Sequence, residues 1–178
     1  HMYIDQLKTE DDLQKIRTPE LELDAPATAE VEETAHDIFD GLLQVQMQGM
    51  LPMANIWDII AQWKGAQNIL WDLVDRPEFM HRIMGRLTDA FLAMLDQLEE
   101  KGLLGYAQST IHCTGAHTDE LPAPGFDPHR PRTRDLWIAG MAQIFSTVSP
   151  AMHQEYELDY VNRIYERFGL VYYGSQEP

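Results

Sequence analysis

The sequence predicts an α/β fold with parallel strands, and three observations support this class. Residues 103–110, 136–145 and 170–173 contain the branched and aromatic residues that are typical of strands. Segments with helical periodicity lie between and before them, so that strand and helix patterns alternate along the chain. One of these helical segments, at 76–101, is long and strongly amphipathic. This alternation is typical of α/β proteins, in which neighbouring strands pair in parallel.

The longest predicted helix covers residues 76–101. Asp75 and Glu78 have the spacing of a capping box around Pro77, and Lys101-Gly102 ends the pattern. Its apolar residues recur every three or four positions and form one stripe: Phe79, Met80, Ile83, Met84, Leu87, Phe91, Met94, Leu95 and Leu98. The stripe predicts that one face of this helix is buried.

The first part of the chain is predicted to form shorter elements. Residues 10–17 are typical of a short acidic helix, and residues 27–40 of a second helix. Residues 43–48 alternate apolar residues with glutamines, which predicts a strand. Two further helices are predicted at 56–65 and 66–74, where isoleucine, leucine and tryptophan recur at helical spacing.

The second part of the chain contains a long predicted loop and a closing helix and strand. Residues 111–134 are rich in Pro, Gly, His and Asp, and loops longer than about 12–15 residues are usually functional or disordered. Ser149-Pro150 opens a predicted helix that ends near Gly169. Residues 170–173 then form a predicted strand, so that Gly174 and the residues after it leave its C-terminal end.

Composition excludes several classes of function. The chain has 178 residues, which is enough for one domain, and 13 Lys and Arg against 29 Asp and Glu. The resulting net charge of −16 argues against nucleic acid as a partner, since phosphates require Lys and Arg. There is no run of 18 apolar residues, so no membrane span is predicted. A single cysteine fits a cytoplasmic location, and residues 1–2 are interpreted as a tag remnant.

Five stretches carry a resemblance to a known family through their order and spacing. They are YIDQLKTEDDLQKI (3–16), DLVDRPEFMHRIMGRLTDAFLAMLDQLEEKGLL (72–104), TDELP (118–122), SPAMHQEYELDY (149–160) and RFGLVYYG (167–174). Together they resemble the uroporphyrinogen decarboxylase superfamily, in particular a bacterial branch related to corrinoid methyltransferases. The resemblance spans nearly all of residues 3–178.

The resemblance implies a (β/α)8 TIM barrel. A complete barrel needs about 250 residues, so residues 3–178 are expected to form a single fragment of the barrel domain, taken from the middle of a longer protein. We therefore expect a partial barrel of about four parallel strands with outer helices. Its open edges would expose apolar surface, which predicts a homodimer through the truncated barrel edge and no catalytic activity for the segment alone.

The resemblance also implies two chemistries. One is decarboxylation of uroporphyrinogen without a cofactor, and the other is methyl transfer between a corrinoid (cobalamin) and a thiol or methyl donor, commonly with zinc. We favour methyl transfer, with a tetrapyrrole or methylated small molecule as substrate and a corrinoid protein as partner of the full-length protein. The alternative is a non-catalytic relative that binds a tetrapyrrole or a corrinoid protein. Related sequences tend to carry cysteines where this chain has Ser175 and Gln176, so no metal site is predicted there.

Candidate substrate-binding residues follow from the rule that barrel sites lie at the C-terminal ends of the strands. Polar side chains near those ends are Gln48 after the first predicted strand, Gln143 and Ser146 near the third, and Glu177 after the last. His153, in the first turn of the last helix, is interpreted as a surface residue rather than a catalytic one.

Asp119 and Glu120 are the candidate catalytic residues. Two nearby carboxylates can hold one proton at a raised pKa and act as acid or base. The alternative is that the pair caps a turn before Pro122. His112 and Cys113, in the same predicted loop, lack the usual spacing of a metal site and are interpreted as ordinary loop residues.

Overall fold

The computed structural model of the protein describes residues 4–106, 110–111, 114–115 and 117–174. Within them, helices α1 to α6 are Ala25–Phe39, Ile56–Lys64, Ala66–Asp75, Pro77–Glu100, Pro150–His153 and Asp159–Tyr165. Strands β1 to β5 are Met53–Ala54, Thr110–Ile111, Thr114–Gly115, Trp137–Gly140 and Leu170–Tyr173. A π-helical turn, Gln154–Leu158, joins α5 to α6, and 3-10 helices lie at Glu10–Lys15, Thr133–Asp135 and Gln143–Thr147.

The main sheet has three strands in the order β1–β4–β5, and both pairings are parallel. Trp137 pairs with Leu170 at one end of the β4–β5 ladder, and Gly140 pairs with Tyr173 at the other. Strands β2 and β3 form a separate antiparallel pair. The helix from 150 to 165 connects two adjacent parallel strands, which is the βαβ arrangement that the sequence predicts.

The α/β class and the parallel pairing are confirmed, whereas a barrel fragment is not. In a barrel built in chain order, the strand predicted at 104–109 would lie between β1 and β4. Here β1 pairs directly with β4, and Leu104 forms one isolated parallel bridge with Met50. Residues 107–109 of that predicted strand lie outside the described residues.

Two predicted strands differ from the structure. The strand predicted at 43–48 is wrong, since these residues form no regular element, and most of them are exposed. The first strand of the structure, β1, begins at Met53, which pairs with Ala139 of β4. The strand predicted at 136–145 ends at Gly140, and its second half includes the start of the 3-10 helix Gln143–Thr147. Alternating residues suit a strand, but a strand forms only where a partner backbone is available.

Helix α4 forms the centre of the core. The predicted apolar stripe is buried apart from Met94, which is half-buried, and α4 packs against α3 and α6. The predicted capping box is not formed, because the helix begins after Arg76 and no side chain caps it. The Arg76 guanidinium instead donates to the Lys8 carbonyl oxygen (2.9 Å).

A buried lysine anchors the N-terminal segment to this core. The side chain of Lys64, at the end of α2, is only 1% exposed. Its Nζ lies 2.7 Å from Asp72 Oδ2 and donates to the Leu7 carbonyl oxygen at 2.8 Å. Because a buried charge is costly unless it is paired, this cluster ties residues 5–8 to α2 and α3.

Helix α1 contributes no buried residue to the core. Val31, Ile38 and Phe39 are exposed on it, and further exposed apolar residues follow at Leu42 and Leu43. Among the described residues, β1 and β5 are the edge strands of the main sheet. The homodimer stays a prediction.

Gly49→Ala is expected to destabilise the protein by about 1–3 kcal/mol. A Cβ at Gly49 would lie 2.4 Å from the Leu103 carbonyl oxygen and 2.5 Å from the Leu104 carbonyl carbon, so the backbone itself would have to move. Gly85→Ala is the matched control, because its Cβ would meet only Tyr160 Cε1 at 3.8 Å. In the interior of α4 alanine is favoured over glycine by about 0.5–1 kcal/mol. Urea unfolding of both variants checks this prediction, and equal stabilities would contradict it.

Asp135 is expected to make the protein less stable in acid. Burial alone would raise its pKa, but the guanidinium and the backbone amide of Arg132 both donate to its carboxylate and hold that pKa below its usual value. The unfolded chain therefore binds this proton more readily, so stability is present above about pH 4 and is lost as pH falls further. Urea unfolding at several pH values should show a weaker acid dependence for Asp135→Asn than for the wild type. Equal pH dependence would contradict this prediction.

Candidate active site

The candidate site lies at the carboxyl end of the main sheet. Strands β4 and β5 end side by side at Gly140 and Tyr173, and the Gly174 amide donates to the Gly140 carbonyl oxygen at 3.0 Å. The 3-10 helix Gln143–Thr147 follows β4 directly and leads into α5. In open α/β sheets this edge is where ligands usually bind.

A π-helical turn lies between α5 and α6, on the segment that leads from β4 to β5. Ser149 caps α5, with its Oγ accepting from the Met152 amide at 3.2 Å. The helix then widens over Gln154–Leu158 before it continues as α6. A π turn inserts one extra residue and rotates the side chains that follow, and such turns occur frequently at functional sites. Here the turn contains Glu157, a carboxylate that points into the protein.

Three titratable side chains meet at this edge. The His153 Nε2 atom lies 2.6 Å from Glu157 Oε2 and 2.7 Å from the Tyr173 hydroxyl oxygen. The Tyr173 hydroxyl donates to the same Glu157 oxygen at 2.5 Å. The Glu157 side chain is 1% exposed, whereas that of His153 is 13% exposed. We refer to His153, Glu157 and Tyr173 as the acid–base trio.

Aromatic rings hold the trio in place. The Phe145 ring stacks on His153 with 5.4 Å between ring centres and 7° between planes. The same ring makes an edge-to-face contact with Trp57, with 4.7 Å between ring centres and 86° between planes. Both Phe145 and Trp57 are fully buried, so the imidazole rests on a rigid wall that belongs to the core. A fixed ring orientation is what acid–base chemistry requires of a histidine.

Gly140 allows a second tyrosine to approach the trio. A Cβ at this position would lie 1.9 Å from the Tyr165 hydroxyl oxygen, so only glycine leaves room for that phenol. The rings of Tyr165 and Tyr173 are 6.2 Å apart and nearly perpendicular, at 71°. The end of β4 is therefore a place where the backbone and a tyrosine of α6 approach each other closely.

The trio can accept, hold and donate a proton. Imidazole titrates in the physiological range, and each of its nitrogens can be donor or acceptor according to the tautomer. Hydrogen bonds that a carboxylate accepts are stronger than those between neutral groups. Because His153 is partly exposed, it is the member that a substrate or a water molecule can reach. This arrangement is typical of general acid–base catalysis.

A second histidine cluster lies on the opposite side of the same turn. His81 of α4 has Nδ1 2.8 Å from the Tyr160 hydroxyl oxygen and Nε2 3.1 Å from Glu155 Oε1, and its ring stacks on Tyr156. Burial, together with nearby charges that include Glu155, raises the pKa of both tyrosines above the ordinary value. The Tyr156 hydroxyl donates to the Leu73 carbonyl oxygen at 3.0 Å. This cluster fixes the π turn against α3 and α4.

Two of the predicted substrate-binding residues lie next to the trio in the chain. Gln143 and Ser146 are exposed members of the 3-10 helix that also supplies Phe145. They therefore share the carboxyl edge with the acid–base trio. Glu177 lies outside the described residues.

The structure places Asp119 and Glu120 elsewhere. Both are exposed, in a bend where the Glu120 amide donates to Thr118 Oγ1 at 3.0 Å. The next residue, Leu121, is buried against Gly169, which immediately precedes β5. The bend is thus attached near the amino end of the sheet, opposite the trio.

Gln48 is exposed and lies before β1 rather than after a strand. It lines a cleft of about 390 Å³ together with Gly105, Tyr106 and His129. Burial, and in second place the charge of Asp135, raises the pKa of Tyr106 above its ordinary value. This cleft does not include any member of the trio.

Sequence reasoning missed Glu157 and Tyr173 and assigned His153 to the surface. The available signal was the spacing of His153 and Glu157, four residues apart on a helix that follows a strand. Tyr173 is the last residue of a strand that was predicted with the correct bounds.

Metal binding finds no support in the described part of the chain. Within those ranges, no group of three His, Cys, Asp or Glu residues is placed to hold a metal ion. His112, Cys113, Ser175 and Gln176, which the sequence analysis considered for zinc, lie outside the described residues. His117 is exposed.

Comparisons with known proteins leave the family open. No family model, no curated protein and no solved structure matches this chain.

Proposed function

We propose that this chain is part of the catalytic barrel of an enzyme of the uroporphyrinogen decarboxylase superfamily, and that the acid–base trio transfers a proton during its reaction. One observation carries the proposal: a partly exposed imidazole and a phenol both contact the same oxygen of a buried carboxylate. Such a group can deliver a proton to a bound molecule through His153 and regain it from solvent.

Both chemistries implied by the resemblance include a proton transfer. In decarboxylation the carbon–carbon bond to the carboxylate breaks, carbon dioxide leaves, and the carbon takes up a proton. In methyl transfer from a donor to a corrinoid, the bond between the methyl carbon and its heteroatom breaks, and the heteroatom keeps the electron pair and can take up a proton. In methyl transfer from a corrinoid to a thiol, the S–H proton is removed as the sulfur–carbon bond forms. We favour methyl transfer between a corrinoid and a thiol or methyl donor.

A corrinoid, when bound, would accept the methyl group. Among the described residues, none can be assigned as a ligand of a corrinoid or of a zinc ion. No step of the reaction is therefore assigned to either group. The part that belongs to this chain is proton transfer through the His153 imidazole, whose orientation is held by the contact of its Nε2 atom with Glu157 and by stacking on Phe145.

Turnover by the complete protein tests the proposal. One reaction contains methylated donors with a cobalamin as methyl acceptor, and the other contains uroporphyrinogen, and each is run with the wild type and with His153→Gln. Turnover of either substrate that falls at least a hundredfold in His153→Gln would support the proposal, since general acid–base groups contribute about 10²–10⁴-fold. Turnover that is unchanged in His153→Gln would contradict it. Binding of substrate without turnover in either reaction would instead support the non-catalytic relative.

A further inference from the structure

The cleft that Gln48 lines is separate from the acid–base trio and has a volume of about 390 Å³. Residues from three segments of the chain line it, at 46–49, 102–106 and 128–131. Cavities of about 300–1,000 Å³ are typical of small-molecule sites. None of the described residues that line it belongs to the trio, so a ligand bound here is independent of the proposed function.

Backbone contacts hold the side of the cleft that Gly49 and Gly105 line. The Met50 amide donates to the Leu103 carbonyl oxygen at 2.8 Å, and the Gly105 amide donates to the Met50 carbonyl oxygen at 2.9 Å. The two glycines touch each other, because a Cβ at Gly105 would lie 2.5 Å from the Gly49 carbonyl oxygen. This side of the cleft is therefore fixed by backbone that only glycine allows to approach so closely.

The segment around His129 is also fixed. The His129 amide donates to Asp127 Oδ1 at 2.9 Å, and the Arg130 amide donates to the Asp127 carbonyl oxygen at 3.0 Å. The Arg130 guanidinium donates to the Glu100 carbonyl oxygen at the end of α4, at 2.8 Å. Both sides of the cleft are thus formed without a ligand, as is usual for small-molecule sites.

Four side chains that line the cleft have unused hydrogen-bonding groups. The side chains of Gln46, Gln48, Tyr106 and His129 make no hydrogen bond to any other residue that the structure describes. A glutamine amide presents an N–H donor beside a carbonyl acceptor. It pairs in two hydrogen bonds with a ring edge that presents an acceptor beside a donor, as glutamine does with adenine.

Tyr106 adds a flat ring to the lining of the cleft. Its ring packs on Phe126 with 4.4 Å between ring centres and 41° between planes, which fixes its orientation. Burial raises the pKa of its phenol, so the hydroxyl keeps its proton at neutral pH and can donate a hydrogen bond. Aromatic side chains stack on the faces of nucleobases, because every base has a π face.

We propose that this cleft binds a small molecule that contains a flat heteroaromatic ring of the nucleobase type. The amides of Gln46 and Gln48 recognise the edge of the ring, where a hydrogen-bond donor lies beside an acceptor. The Tyr106 ring stacks on its face. The two kinds of contact make different demands on the ligand, since one requires a donor on the ring edge and the other requires only a flat ring.

Titration of the protein with 9-methyladenine tests this binding. Amide spectra by NMR are recorded during the titration, and a second titration uses a derivative in which methyl groups replace both hydrogens of the exocyclic amine. The derivative keeps the flat ring but has no donor on its edge. We expect saturable shifts at residues 46–49, 102–106 and 129–130 with 9-methyladenine, and binding of the derivative that is weaker by at least about fivefold.

Variants of the lining residues locate the binding. The double variant Gln46→Met, Gln48→Met removes both amides but keeps the length of two exposed side chains, and it should weaken binding of 9-methyladenine at least about fivefold. Gln44→Met is the matched control, because Gln44 is an exposed glutamine of the same segment that does not line the cleft. Tyr106→Leu removes the ring and should weaken binding of both probes to a similar extent.

Three results would overturn the proposal. They are the lack of any saturable shift at these residues with 9-methyladenine, equal affinity for the two probes, and full affinity in the double glutamine variant. The double variant decides the outcome if Tyr106→Leu does not fold, since its two positions are exposed. Turnover that depends on His153 is measured separately, so either result leaves the proposed function to its own test.

Discussion

Replacing Phe145 with alanine is expected to destabilise the protein by about 3–5 kcal/mol. The ring is fully buried between Trp57 and His153. Its centre lies 4.7 Å from that of Trp57 in an edge-to-face contact and 5.4 Å from that of His153 in a stacked contact. Its removal leaves a cavity that neither neighbour can fill, because Trp57 belongs to α2 and His153 is held by Glu157. Urea unfolding followed by tryptophan fluorescence measures the loss.

Phe145→Leu is the matched control for this effect. Leucine fills much of the same space but lacks the flat face that stacks on the imidazole. We expect it to cost about 1–2 kcal/mol of stability while the orientation of His153 becomes less defined. A loss below about 1 kcal/mol for Phe145→Ala would contradict the packing described for this wall.

Glu157→Gln in the complete protein is expected to lower kcat by about 10²–10⁴-fold. The amide has nearly the shape of the carboxylate, so packing in the π turn is retained. It cannot hold the negative charge that receives hydrogen bonds from both His153 and Tyr173. The loss corresponds to about 3–5 kcal/mol of transition-state stabilisation.

The control for this variant is Glu155→Gln, two residues away in the same turn. Its side chain faces His81 and solvent rather than the acid–base trio, so kcat should change less than about twofold. Thermal unfolding of both variants establishes that they are folded. Equal losses of kcat in the two variants would show that the turn, and not the buried carboxylate, is what matters.

The helices were predictable because their burial is encoded in local periodicity. The stripe from Phe79 to Leu98 identifies α4, and the bounds of β5 follow from four branched and aromatic residues after Gly169. The strand predicted at 43–48 had an equally regular pattern, but regularity says nothing about which backbone will pair with it. Register and neighbours of strands are decided by contacts between distant segments, as the pairing of Met53 with Ala139 illustrates.

The location of the site was partly predictable. The rule that sites lie at the carboxyl ends of strands selected Gln143 and Ser146, which flank Phe145 at the carboxyl edge of the main sheet. It did not identify Glu157, because a glutamate is rarely fully buried unless it is paired, and nothing in the local sequence shows that Tyr173 is its partner.

The course of the long loop could not be predicted. Asp119 and Glu120 were plausible acid–base residues by type and spacing, but the loop returns to the sheet at Leu121, against Gly169. That contact depends on a glycine 48 residues further along the chain. Nothing in the local sequence distinguishes the amino end of the sheet from the carboxyl end.

A double-mutant cycle on His153 and Glu157 tests most directly whether these residues act as one proton-transfer group. The kcat of the complete protein is measured for the wild type, His153→Gln, Glu157→Gln and the double variant. We predict that each single variant loses at least a hundredfold and that the double variant lies within about threefold of the slower single variant, because groups that act as a unit are lost together. Losses that multiply in the double variant, or single losses below about tenfold, would contradict the account.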